Sequence, residues 1–569
     1  MSVTAQSDSS VESQLTNLPA EGPFESSSRF RFYGFALIGF AMLVRLVVAW
    51  SRYLQVDEMQ LLHLGWLRSA GERPGVDYSF PQFSLLIDLA EGIWRILGSS
   101  LRGVYLFRSI QWGVGATVIL LTGVLALRIA GRSAAVLAMI AISFMTDFSD
   151  RVIEFRSDSV LILLMLTAII LIQTDSRLAL LLSGAMTGLA FTFNFKAFLM
   201  IPFLGLAILL HVWSGERWRR FFDHLLAFAA GLGLVLLSYL LYLTARGDLQ
   251  LFAETIVRNL QVSAAPISRV SPIGFFETSF LRNSVFYALT LAGVLGVAFR
   301  RYGRRSYILA APLLFTIVYV IANPTFFPYN FVDVAPVWAV FAGMALQRAF
   351  QIRNWAGWLL VVLVVAFPTF RFVSLAQTNS LAPQLEANRI VMAVVPSDER
   401  VYDTAGLILF RKGPYYWRLH SLMMPRYWQG EFRISQELWR YHVRLVVPSY
   451  RTGWLSRSDR AFLGKAFPLV YGKVGVTGWI VAPSDWRGGR AAFPIASTGM
   501  YRIYGSGAPR VSIDGKQMTS QGLWLESGRH EISVEGGNPA APVAVIWTHR
   551  IDMLSEFPSP EMLYFPWTF

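Results

Sequence analysis

Two adjacent carboxylates, Asp57 and Glu58, follow the apolar run at 32–50 after only a few residues. At a membrane surface such a pair can act as a general base that takes a proton from a hydroxyl. It can also supply oxygen ligands to a divalent cation. The plainer reading is a solvated helix start, because Asp and Glu favour helix N-termini. A second acidic group comprises Asp147, Asp150, Glu154 and Asp158, with Arg151 and Arg156 interleaved, and Asp158 lies at the mouth of another apolar run. It reads as local ion pairs of small energy, or as further groups that position an acceptor or a divalent ion.

Cations complete the chemical inventory. Lys196 interrupts a long apolar stretch in Phe193-Asn194-Phe195-Lys196, and Arg45 and Arg108 lie near the ends of other runs. Each could snorkel to the lipid headgroups. Each could also hold a phosphate, for which the planar fork of Arg offers paired donors. Tyr329, in Pro328-Tyr329-Asn330 ahead of Asp333, belongs either to an interfacial aromatic belt or to a donor site. His63 reads as a packing residue. Tyr415-Tyr416-Trp417 and Tyr427-Trp428 read as domain core, with sugar stacking as the alternative.

The elements that must position these groups are membrane helices. The 569 residues are 54% hydrophobic and 15% charged, with a mean hydropathy of +0.46, too apolar for a soluble chain of this size. The formal charge of +14 does not point to nucleic acid, because the cations cluster in short connections between apolar runs. There are no cysteines, which excludes disulfides, zinc–thiolate sites and a Cys nucleophile. Spans are predicted at 32–50, 105–127, 133–148, 158–174, 178–193, 197–213, 224–244, 284–299, 306–322, 331–347 and 355–371. Residues 1–28 are polar and read as a disordered cytoplasmic tail.

Charge sets the predicted orientation. Arg29 and Arg31 precede the first span, and Arg128, Arg132, Arg177, Arg217, Arg219, Arg220, Arg300, Arg301, Arg304, Arg305, Arg348 and Arg353 fall on the same side. Asp57, Glu58, Asp77, the 147–158 cluster, Asp248, Glu254, Glu277 and Asp333 fall on the other. The odd number of spans then places the C-terminus outside. Counting the apolar segment 83–97 as a span would invert the later loops, so it is predicted to be an interfacial helix. An amphipathic helix is predicted over 57–68, ending at Gly71, with turns at Pro74-Gly75 and Pro81.

After Arg371 the apolar runs stop. Strands at 400–403 and 443–448 and a helix at 435–441 suggest a small α/β domain. Strands at 499–504, 510–513, 523–525, 530–534 and 543–547, with turn signals at Asp514-Gly515 and Gly536-Gly537, suggest a β-sandwich. The domains expected are a tail at 1–28, a transmembrane catalytic domain at 29–375, an α/β domain at 376–484 and a β-rich domain at 485–569.

In the order and sidedness of its motifs the chain resembles the GT-C glycosyltransferases, in the branch of protein O-mannosyltransferases and the bacterial lipid A aminoarabinose transferase. The similar elements are an Arg-bearing first span, Asp57-Glu58, Gly71 with Pro74 and Asp77, Pro81 before an apolar helix, and Arg108 at a span start. They continue with Glu154-Phe155-Arg156-Ser157-Asp158, Gly188-Leu189 ahead of Lys196, and Tyr329 ahead of Pro336. The match covers about residues 30–370. Pro81-Gln82 stands where many relatives have Pro-Pro, with no His beside it, so no metal ligand is carried over for this loop.

The resemblance implies a GT-C fold of about eleven spans and transfer of a sugar from a polyprenyl-phosphate donor to an acceptor on the outer face of a bacterial inner membrane. The acceptor is lipid A, a polysaccharide or a protein. Asp57 matches the family's base, with inversion at the anomeric centre. Glu58, Glu154 and Asp158 would position the acceptor or a divalent cation, and Arg45, Arg108, Lys196 and Tyr329 would hold the donor phosphate. Competing readings are a lipid transporter, which would place charges near the midplane, and a non-catalytic glycan-binding or assembly subunit.

Overall fold

The computed structural model describes residues 28–80, 82–174, 176–212, 217–264, 273–299, 304–322, 327–378, 380–420, 423–471, 474–504, 510–535 and 539–551. The tail at 1–27, Pro81, Arg300, Arg301 and the Gly536-Gly537 turn lie outside the described residues, as do the side chains of Arg217, Arg304 and Arg305.

Each of the eleven predicted spans coincides with a helix. Seven are long and apolar enough to cross a membrane: Ser28–Ser51, Gly103–Ala130, Phe195–Val212, Trp218–Arg246, Ile273–Ala298, Pro328–Ile352 and Asn354–Val394, the last including a break before the helix Leu381–Val394. Four are shorter apolar helices: Arg132–Ser143, Ser157–Ile172, Arg177–Phe193 and Ser306–Ile321. The chain is a multi-pass membrane protein.

Contacts divide the chain into two compact units: Met1–Arg52 with Gln82–Leu86 and Arg102–Asn379, and Tyr53–Pro81 with Ile87–Leu101 and Ser380–Phe569. The segments 53–81 and 87–101, expected from sequence within a domain spanning 29–375, thus group with the C-terminal region, Ser380–Phe569. The physical reason lies in their partners. Leu54 N donates to Gln384 Oε1 at 2.7 Å, and Trp94 packs edge-on against Phe410 at 5.0 Å.

In the membrane unit the helix Phe331–Ile352 is buried along nearly its whole length. The helix Arg217–Arg246 instead turns Leu226, Leu234, Leu237 and Leu241 outward, the pattern of a lipid-facing element. That helix crosses Arg177–Phe193 at backbone contact. A Cβ on Gly184 would lie 1.8 Å from the Phe228 carbonyl oxygen, and one on Gly231 1.9 Å from that of Leu181. Small residues at such crossings replace the hydrophobic drive that lipid removes.

Two spans depart from their expected bounds. The helix expected at 133–148 stops at Ser143, and a short helix Thr146–Arg151 follows. Asn283 Oδ1 accepts from the Thr146 amide and hydroxyl at 2.8 and 2.9 Å, giving the broken backbone a partner. Asn283 itself kinks the helix Ile273–Ala298, which starts well before the expected 284. Its early part is anchored by Phe276 against Phe331 at 5.0 Å.

In the second unit the amphipathic helix Val56–Ser69 ends two residues before Gly71, which has φ +84°. Leu85–Leu97 is a helix of 13 residues, short for a span of about 20. The tail carries a mixed sheet in the order 401–403, 445–447, 474–476, 469–471, its first pair parallel. Two antiparallel four-stranded sheets follow, and Val481, Phe493, Ile513, Ile532 and Val545 share one core with Val391 and Leu445 of the α/β part. Asp514 and Gly515 both have positive φ and close the hairpin between Ile513 and Lys516, as a type I′ turn requires. The sequence did not flag the edge strand Arg490–Ile495, which contains Pro494, a residue strands tolerate at a sheet edge.

Candidate active site

In the membrane unit, a group of charges gathers where several apolar helices begin. Asp158 is the second residue of Ser157–Ile172, Lys196 the second of Phe195–Met200 and Asp333 the third of Phe331–Ile352. Lys196 Nζ donates to Asp158 Oδ1 at 2.6 Å and Asn330 Oδ1 at 2.7 Å, and lies 3.5 Å from Asp333 Oδ2. Arg156 Nε donates to Asp158 Oδ2 at 3.1 Å. Asn194 Nδ2 donates to Asp158 Oδ1 at 3.2 Å, while its Oδ1 accepts from the Lys196 amide. Tyr319 Oη lies 2.9 Å from Asp333 Oδ2 and 3.0 Å from Asn330 Oδ1.

Tyr329 forms the aromatic side of this group. The Arg156 guanidinium sits 3.7 Å above its ring and Lys196 Nζ 5.2 Å from its centroid, both within reach of cation–π attraction. Two cations and two carboxylates balance one another. Asp333 and Asp158 are buried, whereas the Lys196 side chain is 28% exposed. A cation held rigidly by buried carboxylates, with one side open, suits an arriving anion, because its orientation costs nothing at the moment of reaction.

The neighbouring acidic residues have other partners. Glu154 Oε1 is 2.8 Å from Arg151 and 3.3 Å from Arg52. Asp150 pairs with Arg371 at 2.7 Å, and Asp147 accepts from Asn283 Nδ2 at 2.8 Å and from the Ser279 hydroxyl. Arg45 is buried, donating to Ser149 Oγ at 2.7 Å and to the Ser143 carbonyl. Arg108 is fully buried and donates to the Ala49 carbonyl at 3.1 Å. Of the residues expected at a donor phosphate, Lys196 and Tyr329 come together, while Arg45 and Arg108 each bond to backbone carbonyls of neighbouring segments. Among the described residues no three His, Asp or Glu side chains converge as a metal ligand set. Glu154 and Asp158 are engaged by different cations.

In the second unit Asp57 and Glu58 open the helix Val56–Ser69, where acidic side chains complement the helix dipole. Asp57 is half-buried and Glu58 fully buried. The Tyr53 and Leu54 amides, held by Ser380 and Gln384, fix the preceding turn. Arg418, 2% exposed, donates through Nη1 to the Val56 carbonyl at 3.3 Å. Burial pushes its guanidinium down to about 9; the Arg451 cation adds to that and the Asp57 carboxylate opposes it. His420 is pushed well below the usual imidazole range by desolvation and by Arg418 and Arg451, again opposed by Asp57.

His63 has a packing role. Its Nδ1 donates to the Leu409 carbonyl at 2.6 Å, and its ring lies between Trp66 and Trp417, at 5.7 and 4.6 Å. Burial pushes it down to about 4. The tail aromatics are mostly core: Tyr416 stacks on Phe432 at 3.8 Å, Trp417 Nε1 donates to the Ser79 carbonyl and Tyr427 Oη to Asp459 at 2.6 Å, while Trp428 is exposed.

Two residues escaped the sequence reading. Tyr319 is a lone polar tip in an apolar helix, and its position inside a span was the available signal. Arg418 directly follows Tyr415-Tyr416-Trp417, whose rings are the stronger local signal.

No protein-family model matches the chain, and no curated protein matches it. Solved structures do. ArnT from Cupriavidus metallidurans, in the apo state, superposes with a TM-score of 0.57 at 13% identity over 79% of this chain and 98% of that one. The same protein bound to undecaprenyl phosphate gives 0.57 at 13% identity, over 79% and 96%. The oligosaccharyltransferase of Archaeoglobus fulgidus, in the apo form, gives 0.48 at 14% identity, over 77% and 73%. The superposition shows that this chain shares the fold of ArnT, carried by apolar helices and followed by a strand-rich C-terminal region.

Proposed function

We propose that the chain is an inverting glycosyltransferase that moves a sugar from a polyprenyl phosphate to an acceptor hydroxyl or phosphate on lipid A, a polysaccharide or a protein. The reaction takes place on the outer face of a bacterial inner membrane, with the N-terminus cytoplasmic and the C-terminal region periplasmic. The observation that carries this reading is the group around Lys196: a partly exposed cation held by two buried carboxylates at the starts of apolar helices, in a fold shared with a protein that binds undecaprenyl phosphate. Charges at helix ends suit a headgroup-level phosphate better than a midplane transport path.

In this reading the acceptor oxygen attacks the anomeric carbon, the carbon–oxygen bond to phosphate breaks, and the polyprenyl phosphate leaves with that electron pair. Asp57 takes the acceptor proton, because a neutral hydroxyl is a weak nucleophile. Lys196 stabilises the charge on the leaving phosphate, which needs little protonation. Tyr329 and Arg156 frame that cation, and Asp158 holds it. Arg45, Arg108 and Glu154 fix the segments around the site through their backbone and ion-pair partners. Glu58, buried next to Asp57 in the chain, would help position the acceptor.

The test is mass spectrometry of lipid-linked sugars and envelope glycans from cells with a chromosomal Asp57→Asn change. The expected result is accumulation of one polyprenyl-phosphate sugar and a glycan lacking one residue. Unchanged pools would favour the binding-subunit reading.

A further inference from the structure

The tail reaches the helix that carries Asp57 through a strap of four residues. The Ser79 amide donates to the Tyr415 carbonyl at 2.8 Å, Trp417 Nε1 to the Ser79 carbonyl at 3.2 Å, and Tyr415 Oη to the Gly75 carbonyl at 3.3 Å. Arg418 ends the strap and donates to the carbonyl of Val56, the residue immediately before Asp57. The fold makes room for this side chain. Gly406 has φ +79°, and a Cβ there would meet Arg418 Cδ at 2.7 Å. The turn holding Gly406 is itself fixed, since Asp403 accepts from the Ala405 and Leu407 amides.

Arg418 is buried, yet its Nε and Nη2 have no hydrogen-bond partner among the described residues. A buried guanidinium with unused donors is costly unless a carboxylate offsets its charge. The charged and titratable groups around it are Asp57, Asp403, Tyr450, Arg451, His63 and His420. Asp403 is committed to backbone amides. Asp57 is the half-buried carboxylate whose charge reaches both Arg418 and His420.

We infer that Arg418 is a positioning residue that orients the Asp57 carboxylate for proton acceptance, so that the C-terminal region completes the catalytic machinery. This rests on the assignment of Asp57 as the base. Arg suits the task better than Lys because its planar fork can serve the Val56 carbonyl and a carboxylate together.

The test uses the full chain in nanodiscs. The substrate is the polyprenyl-phosphate sugar extracted from membranes of cells carrying Asp57→Asn, added with the acceptor glycan from those cells, and turnover is read as polyprenyl phosphate released. Arg418→Gln is expected to slow release about 100-fold and Arg418→Lys about tenfold. Both should bind undecaprenyl phosphate as the unsubstituted protein does, and Asp57→Asn with Arg418→Gln should be no slower than Asp57→Asn alone. A merely structural Arg418 would lower thermal stability and lipid binding together and would add to the Asp57 effect, and that pattern overturns the inference. If Arg418→Gln does not fold, Arg418→Lys decides: full-rate release overturns the inference. Asp57→Asn that still turns over sinks the base assignment itself, whereas inactive Asp57→Asn beside fully active Arg418 variants sinks only the role of Arg418.

Discussion

The charged groups around Lys196 and around Asp57 are built on opposite plans. Around Lys196 nearly every polar group is answered by another: Asp158 by Lys196 and Arg156, Asn330 by Lys196 and Tyr319. Around Asp57 the arrangement differs, and the buried cation beside it is not fully bonded. Arg418 keeps two donors without hydrogen-bond partners among the described residues, and Asp57 is half-buried. A reciprocated network is rigid and suits binding of a fixed charge. A partly exposed carboxylate beside an incompletely bonded cation suits proton transfer. The same residue types can therefore serve stability in one place and chemistry in another, and the difference is open to experiment.

The largest expected effect separates the two plans directly. Asp57→Asn is nearly isosteric and removes one carboxylate charge, so turnover should fall by roughly 10²–10⁴-fold, while thermal unfolding and binding of undecaprenyl phosphate barely move. Release of polyprenyl phosphate, compared with the unsubstituted chain, checks this. A full loss of lipid binding in that variant would erase the contrast.

Lys196→Met tests the other side. It leaves two buried carboxylates without their shared cation, and breaking such a pair costs about 3–5 kcal/mol, with the lower figure expected because Lys196 is partly exposed. Thermal unfolding in detergent should show a clear loss, and undecaprenyl phosphate binding should weaken. If stability holds while only turnover falls, the Lys196 group is less interlocked than its distances imply.

A third prediction uses pH. His63 is neutral in the folded protein because burial pushes it down to about 4, against about 6.5 in an unfolded chain. Between those values the unfolded state binds more protons, so stability rises with pH. It is fully present above about 6.5 and lost as pH falls toward 4, by about 3 kcal/mol at most. His63→Gln should flatten that slope in a series of melting curves.

Much of this architecture was legible in the sequence because the bilayer imposes a simple rule: long apolar runs must be helices. The eleven runs, the amphipathic helix after Asp57 and the Asp514-Gly515 hairpin all follow from local patterns. The misplaced bounds have a common cause in side chains acting at a distance. Asn283 ends one helix and kinks another through bonds to Thr146, 137 residues away. The grouping of 53–81 with the tail likewise depends on Gln384 and Trp417, whose partners no local window can see. Within the candidate site, Lys196, Asp158, Tyr329 and Asp333 stood out as polar residues at run ends. Arg45 and Arg108 stood out equally, and only the structure distinguishes a cation with an open side from one bonded to backbone carbonyls.

The smallest effect is the most diagnostic of how the Lys196 group is wired. Tyr319 Oη lies within reach of Asn330 and Asp333 but has a single proton, so it satisfies one acceptor at a time. Tyr319→Phe removes that donor and leaves the ring in place against Phe315, 5.3 Å away. Asp333 already has one buried oxygen, Oδ1, without a hydrogen-bond partner among the described residues, and losing the hydroxyl would leave Lys196 as the main group facing its other oxygen. The expected cost is about 1–2 kcal/mol in stability, smaller than for Lys196→Met because no ionic partner is lost. Combined with Lys196→Met, the two changes should be markedly non-additive, since both act on Asp333. Strict additivity would mean that the tyrosine acts through packing alone, and the reciprocity that sets this group apart from the one around Asp57 would then rest on Lys196 and Arg156 only.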